Sequence, residues 1–357
     1  MEKTEGEKNE AAQAPTTPIQ LLQNLDDFES VARKALSRKA WIYFDSGADS
    51  LHSVKTNRAD WEKITFRPRI LRSVAQVTMR QCVMGHQSNL PFFIAPAAMA
   101  KLGHADGELC LARGAARSNI PYCVSTYSSV DHRDLATCLE NEKSGGALIF
   151  QLYVAKKIED TKNLIAKARS LGYRGLVVTV DTAVVGKREE DERYKAEMDY
   201  QSGIQELPRV LDPDPNKEKP ILRGAHSSTL TWDDLAWIRR DWGNSGPVII
   251  KGIQTAEDAR RASDLGVDGI YLSNHGGRQL DFAPSSIRTL LEIRRFHPEV
   301  LKRTKIYLDG GVRRGTDILK ALCLGATAVG LGRPFLYALS GYGTDGVMKA
   351  IQSKSPF

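Results

Sequence analysis

The sequence predicts a (β/α)8 barrel, on three observations: eight short apolar runs recur from residue 92 onward, amphipathic segments separate them, and polar side chains gather where the runs end. The runs are FFIAPAA, YCVSTYS, ALIFQLYV, GLVVTVDT, PVIIKG, GIYLSNH, KIYLDGG and AVGLGRP. Continuous apolarity of this length marks strands buried on both faces, as parallel strands are when helices cover them. The segments between them have helical periodicity. In TAEDARRASDLG, Thr255 stands as an N-cap with Asp258 three residues on, Ala259, Ala262 and Leu265 form one apolar face, and Gly266 ends it. DTKNLIAKARSLG repeats the pattern with Leu164, Ala168 and Leu171 before Gly172. Eight such βα units favour closure over an open doubly wound sheet. Successive runs lie roughly 25 to 35 residues apart, with one exception.

That exception follows the fourth strand, where a stretch rich in charge and proline, including PRVLDPDPNKEKPILRG, predicts a long loop on the active face of the barrel. Before the first strand, apolar positions Phe28, Val31, Ala32 and Leu36 predict one helical segment over Leu25 to Trp41, with Ser46-Gly47 as its stop. Residues 1–18, MEKTEGEKNEAAQAPTTP, are polar and acidic and resemble neither a secretory signal nor an Arg-rich transit peptide. They are expected to be a disordered tail, with the barrel domain occupying 19–357.

The bulk numbers exclude some classes of function. No apolar run reaches the ~20 residues of a membrane-spanning helix, so no membrane association is expected. The formal charge of +7 comes from Lys and Arg interleaved with acids rather than gathered in a block, which speaks against nucleic acid and suits anionic small ligands. The five cysteines are odd in number, widely spaced and free of any C-x-x-C pair, so they read as reduced thiols of a cytoplasmic protein without a metal site.

Chemistry in a barrel collects at the C-terminal ends of the strands. There stand Gln151 and Tyr153, Thr179 and Asp181, Lys251, Ser273 with Asn274 and His275, Asp309, and Arg333. The last two loops, DGGVRRG and GLGRP, offer backbone donors at Gly310, Gly311, Gly330 and Gly332 beside Arg313 and Arg333. That combination predicts a phosphorylated ligand, since small residues let N–H groups approach and arginine supplies a fork. Lys251 ends a very apolar strand and admits three readings. It holds negative charge on a reduced cofactor, forms a Schiff base in a phosphosugar lyase, or pairs with a barrel carboxylate as a structural ion. His275 and Arg278 stand three positions apart on a glycine-opened loop, suiting a carboxylate clamped by Arg278 while His275 takes a proton from the neighbouring carbon or hydroxyl. Asp181 is placed to orient the imidazole.

SNHGGRQLD, LDGGVRRGTD, GLGRPF, QLYV, TVDT and IIKG together resemble the FMN-dependent 2-hydroxy acid oxidase and dehydrogenase family, with particular similarity to the flavin domain of the L-lactate:cytochrome c oxidoreductases. The likeness runs from about Leu25 to Ile351. It implies FMN as cofactor and oxidation of an L-2-hydroxy acid to a 2-oxo acid. His275 is then the base, Asp181 its partner, Arg278 the carboxylate clamp assisted by Arg188, and Tyr43 and Tyr153 hydroxyl donors to the substrate. Lys251 falls beside the flavin ring, and Ala97, Ser125, Gln151, Thr179, Ser273, Asp309, Gly310, Arg313, Gly332 and Arg333 fall at the family's FMN positions. Whether His275 acts first at the Cα–H or at the hydroxyl is left open.

The sequence also departs from the family pattern. No haem module with a His-Pro-Gly-Gly signature precedes Leu25, so reoxidation is expected from oxygen or another external acceptor. Tyr127 stands where relatives carry Trp, Leu or Tyr, a position tied to pocket width. The chain stops at GVMKAIQSKSPF, so the eighth helix is expected to be truncated, exposing apolar surface on the first and eighth strands unless a partner subunit or the N-terminal helix covers it. A homo-oligomer is expected. The alternative function is a flavin-binding barrel with little or no turnover.

Overall fold

The computed structural model describes residues 17–203 and 226–353. The expected tail lies outside the described residues except for Thr17 and Pro18, and part of the long loop, 204–225, lies outside them too. Three helices come first: α1 (Leu25–Ala35), α2 (Arg38–Asp45) and α3 (His52–Glu62). The single segment expected from Leu25 to Trp41 is therefore two helices. Leu36 is extended, and the Ser37 hydroxyl accepts from the Ala40 N–H at 3.3 Å to start the second one.

A hairpin follows, β1 (Gln81–Val83) with β2 (His86–Ser88), and then the barrel strands. These are β3 (Phe92–Ile94), β4 (Pro121–Ser125), β5 (Ala147–Tyr153), β6 (Leu176–Thr179), β7 (Val248–Ile253), β8 (Gly269–Leu272), β9 (Lys305–Leu308) and β10 (Ala328–Leu331). Every neighbouring pair is parallel, and β10 pairs with β3 to close the barrel. Each strand overlaps one of the eight apolar runs, with β4 starting one residue before its run and β7 ending one residue after. The intervening helices are α4 (Glu108–Ser118), α5 (His132–Glu142), α6 (Ile158–Ser170), α7 (Glu189–Gln201), α8 (Asp234–Trp242), α9 (Ala256–Asp264), α10 (Ser286–Phe296), α11 (Val300–Arg303), α12 (Gly315–Cys323) and α13 (Arg333–Gln352). Thr255 caps α9 as expected, its hydroxyl accepting from the Asp258 N–H at 3.1 Å. The long loop after β6 carries α7 and α8 in its described parts.

The barrel lumen is filled by Phe93, Cys123, Ile149, Val177, Ile249, Tyr271 and Tyr307. The hairpin plugs one end: Val83 and Met84 join this cluster, and the Met84 N–H donates to the Tyr307 hydroxyl at 3.0 Å. The helices and outer strand faces make a second, larger core. The exposure expected on the first and eighth strands does not occur. Every residue of β3 and β10 is buried, and α13 runs to Gln352, packed between α1 and α4, with a break at Tyr342 and Gly343. The gap that the sequence predicted is therefore absent: the last helix is in place, and the N-terminal helix α1 packs against it.

Candidate active site

At the C-terminal mouth of the barrel a cavity of ≈ 590 Å³ opens, walled by the ends of β3, β4, β5, β7, β9 and β10, by the loop after β8, and by α2 and α3. Tyr43, Tyr153, Arg188, His275 and Arg278 all line it, as do Lys251, Ala97, Ser125, Asp309, Gly310, Arg313, Gly332 and Arg333. Four expected site residues do not. Asp181 sits behind His275, Ser273 lies between Lys251 and Asp309, and Gln151 donates to the Thr179 hydroxyl at 2.9 Å one layer below.

The loop after β8 is built to present His275. Residues His275, Gly276 and Gly277 all have positive φ, and the Asn274 side chain accepts from the Gly277 N–H at 3.1 Å. Gly277 has no room for a side chain, since a Cβ there would stand 2.7 Å from the Val54 backbone nitrogen. For His275, a φ of 60° is a conformation that L-residues seldom adopt, held here by the turn around it.

His275 Nδ1 lies 2.8 Å from Asp181 Oδ1, and its Nε2 lies 3.1 Å from the Tyr153 hydroxyl. Asp181 also accepts from the Thr182 hydroxyl at 2.8 Å, and its second oxygen is 3.8 Å from Lys251 Nζ. Burial pushes the Asp181 carboxyl up, but the charges of His275 and Lys251 and the hydrogen bonds from His275 and Thr182 outweigh it and hold the group at about 2. Asp181 is therefore an anion that fixes the proton on Nδ1 and leaves the Nε2 lone pair toward the cavity.

Lys251, 3% exposed, stands where the register between β7 and β8 shifts. Its ammonium donates to Ser273 Oγ at 3.0 Å, and Ser273 donates on to Asp309 at 2.7 Å. Tyr271 holds the other Asp309 oxygen at 2.9 Å. A continuous chain of polar contacts thus joins His275 to Asp309 across the ends of four strands, β6 to β9.

Two arginines tie α2 to the site. Arg278 Nη1 donates to the carbonyls of Tyr43 and Ser46 at 2.9 and 2.8 Å, and its guanidinium lies over the Tyr43 ring. Arg333 donates to the carbonyls of Phe44, Gly276 and Ser46. Expected as a phosphate ligand, Arg333 lines the cavity but directs three of its donors to backbone carbonyls, two at the C-terminal end of α2, where a cation is favoured, and one in the loop after β8. Among the described residues the Nε and Nη2 donors of Arg278 make no hydrogen bond. Burial, with Arg188 and Arg333 close by, pulls the Arg278 guanidinium down to about 9. Because a guanidinium does not deprotonate in practice, the shift measures how strongly this group calls for an anion.

The residues present fit FMN. The loops after β9 and β10 put Gly310, Gly311 and Gly332 on the cavity beside the half-buried Arg313, whose charge is disfavoured by burial and by Arg58. A Cβ on Gly311 would stand 1.8 Å from the Asn57 carbonyl, while one on Gly332 would meet only Ala95, at 3.9 Å. That is a cradle for a phosphate at one end, with the Lys251 ammonium at the other for an electron-rich ring.

Sequence reasoning missed His226, which lines the cavity, stacks on the Tyr153 ring at 4.3 Å and shares a 2.9 Å hydrogen bond with the Tyr127 hydroxyl. It also missed Gln279, which donates to the Asp181 and Val184 carbonyls and accepts from the Gly186 N–H, locking the loop after β6 to the loop after β8. No local pattern announced His226; Gln279 lay within SNHGGRQLD and was readable there.

Residues 32–354 match the FMN-dependent dehydrogenase family. The chain is 39% identical over 337 residues to an L-lactate dehydrogenase (cytochrome) of Wickerhamomyces anomalus, covering 94% of this chain and 57% of that protein. It thus spans little more than half the length of that relative. It is 36% identical over 332 residues to a peroxisomal (S)-2-hydroxy-acid oxidase of Oryza sativa subsp. japonica, covering 92% and 88%. Among solved structures, the recombinant flavin-binding domain of baker's yeast flavocytochrome b2 superposes with a TM-score of 0.84 at 35% identity, covering 95% of this chain and 81% of that one.

Proposed function

The chain belongs to the FMN-dependent dehydrogenase family, and on that premise we propose that it oxidises an L-2-hydroxy acid to the 2-oxo acid, reoxidised by oxygen or another external acceptor. One observation carries the reading: His275, paired with Asp181 through Nδ1 and with its Nε2 beside the Tyr153 hydroxyl, faces the cavity next to an Arg278 fork with two donors to offer. A 2-hydroxy acid carries a carboxylate next to a carbinol carbon, which matches that pair of groups.

Arg278 holds the carboxylate through Nε and Nη2, with Arg188 adding charge at the same wall. The Tyr43 and Tyr153 hydroxyls orient the substrate oxygens. His275 takes a proton at Nε2, and the Asp181 carboxylate stabilises the imidazolium that results. Oxidation of the carbinol to the ketone removes two electrons and two protons; His275 takes one proton, and FMN, when bound, would supply the acceptor for both electrons and the other proton. Ala97, Ser125, Lys251, Asp309, Gly310, Arg313 and Gly332 would hold it, with Gln151, Thr179 and Ser273 supporting them from behind. Lys251, on the same cavity, would place positive charge beside a ring that becomes electron-rich on reduction.

The unit that does this is the domain 19–357. Five free thiols, two of them exposed, support a reducing compartment, with the cytoplasm as the expected location. An exposed apolar segment between α3 and β1 supports self-association, treated below.

The test begins with the visible spectrum of the purified protein, followed by anaerobic addition of a panel of L-2-hydroxy acids. The flavin bands are expected to bleach with at least one of them, and admitting air then separates oxidase from dehydrogenase. His275→Ala should keep its flavin and lose about 10²–10⁴-fold in bleaching rate. Bands that no 2-hydroxy acid bleaches would overturn the reading.

A further inference from the structure

Behind the wall made by Tyr153, Thr182 and His226 lies a second cavity of ≈ 340 Å³, and these three residues line both spaces. Its wall carries an apolar side, Val154, Leu230, Trp232, Leu235, Ile250 and Ile253, and a polar one that includes Asp181, Gln254 and Asp258. His226 is the part of the partition that comes from a loop rather than from a barrel strand or its first turn. It is 9% exposed, and its position is set three ways. Its backbone bridges Ala155, its ring stacks on Tyr153 with an interplanar angle of 14°, and its Nε2 shares the hydrogen bond with the Tyr127 hydroxyl. The next residue continues the anchor, the Ser227 N–H donating to the Val154 carbonyl at 2.8 Å. Burial, with His275 nearby, lowers the His226 imidazole below its ordinary value, against a contribution from the Thr182 backbone that raises it. A neutral imidazole of this kind accepts the Tyr127 proton without setting a second cation against His275.

The rest of the cavity wall decides where a substrate side chain goes. Arg278 and Arg188 call for the carboxylate, His275 and Tyr153 for the carbinol, and the glycine loops for a phosphate. What is left for a side chain is the wall of Met99, Tyr127, Val185 and His226. A short side chain ends against that wall. A long one must pass His226.

Resting on the reading of the site given above, we infer that His226, clipped to Tyr127, is a specificity-determining partition. It closes the second cavity and confines the enzyme to L-2-hydroxy acids with short side chains. Removing it joins the two spaces into one that takes a long apolar chain.

Wild type, His226→Ala and Tyr127→Phe are compared on L-lactate and L-2-hydroxyoctanoate by the rate of anaerobic flavin bleaching. In parallel, pyruvate and 2-oxooctanoate are titrated as perturbations of the bound flavin spectrum, which needs no turnover. Wild type is expected to favour the short acid in both readouts by ~10-fold or more, and His226→Ala to move the long-to-short ratio by ~10-fold or more toward the long acid. Tyr127→Phe keeps the ring but releases the clip, and is expected to move the ratio the same way by about 2- to 3-fold. A wild type that handles the long acid as well as lactate, or a ratio that neither variant moves, overturns the partition. If His226→Ala fails to retain FMN, the wild-type preference and the Tyr127→Phe ratio decide. If no hydroxy acid bleaches the wild type, it is the proposed reaction that fails, and the pair of 2-oxo acids still decides the partition.

Discussion

Asp181 touches the two groups that matter most to the proposed chemistry, the His275 imidazole and the Lys251 ammonium. Asp181→Asn keeps the shape but removes the charge, so Nδ1 is no longer held as the donor and the buried ammonium loses its counter-ion. The flavin bleaching rate should fall by about 10²-fold or more, measured by stopped flow; a rate within a few-fold of wild type would break the assigned pairing. Arg278→Lys should act on substrate more than on flavin, because an ammonium lacks the Nε/Nη2 fork and also releases the Tyr43 and Ser46 carbonyls. The expected readout is a KM raised about 10-fold or more, with flavin content retained. Most of these residues were legible in the sequence because a parallel barrel delivers each strand's end to the same mouth, so a polar residue closing an apolar run declares its own position. His226 was not legible, since it follows the long insertion and reaches the site through a backbone bridge, a ring stack and a hydrogen bond to Tyr127, none of which leaves a periodic trace. Arg333 was read correctly as a residue of the cavity and incompletely as a phosphate ligand, because a sequence shows the charge but not the carbonyls that await it.

At the scale of elements, the site depends on how α2 and α3 are fastened to the barrel. Asp281, the last residue of SNHGGRQLD, does this for α3. One oxygen accepts from the Ser53 N–H at 2.8 Å, and the other accepts from the Ser50 hydroxyl and N–H and from the His52 N–H. It serves as the N-terminal cap that Leu51, in the left-handed region, cannot supply. Burial raises this carboxyl, but the hydrogen bonds from Ser50, Ser53, His52 and Phe282 prevail and hold it at about 2. A carboxyl depressed from ~3.9 to that value contributes about 2 kcal/mol, present in full above pH ~4 and lost as pH falls through the folded-state value. Asp281→Asn should therefore lower the unfolding free energy by about 2 kcal/mol near neutrality, and the gap from wild type should close as urea melts are repeated toward pH 2. A gap that does not change with pH would mean that shape, not charge, holds α3. None of this partnership was legible from local spacing, for Asp281 and Ser53 are 228 residues apart. The break between α1 and α2 was missed for a similar reason: the apolar positions keep helical spacing across Leu36, and only the backbone turn at Ser37 interrupts it.

The barrel itself was the most legible feature of the molecule, because each of the eight strands is short, apolar and closed by its own polar signal, and their order in space follows their order in the chain. How the molecule meets other copies is a separate matter, and one segment bears on it. Between α3 and β1 the chain is irregular and exposed, with Phe66, Ile70, Leu71, Val74 and Val77 all open to solvent and Leu71 98% exposed. Arg67, Arg69, Arg72 and Arg80 are interleaved with them, and no acid occurs between Glu62 and Asp106. Apolar side chains in such a run are costly to leave in water and mark a contact surface. The arginines make that surface a poor match for itself and a good one for acids. Helix α7 supplies them, with Glu189, Glu190, Asp191 and Glu192 in its first turn and no buried residue along its length. We propose that the basic apolar segment of one copy docks against the acidic α7 side of another. Light scattering on the eluting protein should then give a mass that is a multiple of 39.5 kDa, and that mass should fall as salt rises, because the charge component of the contact is screened. Leu71→Asp should yield the single-chain mass while keeping its flavin, since the side chain touches nothing in its own barrel. A wild type that elutes at the single-chain mass at micromolar concentration would remove the contact, and would leave the exposed segment as a surface for something other than a second copy.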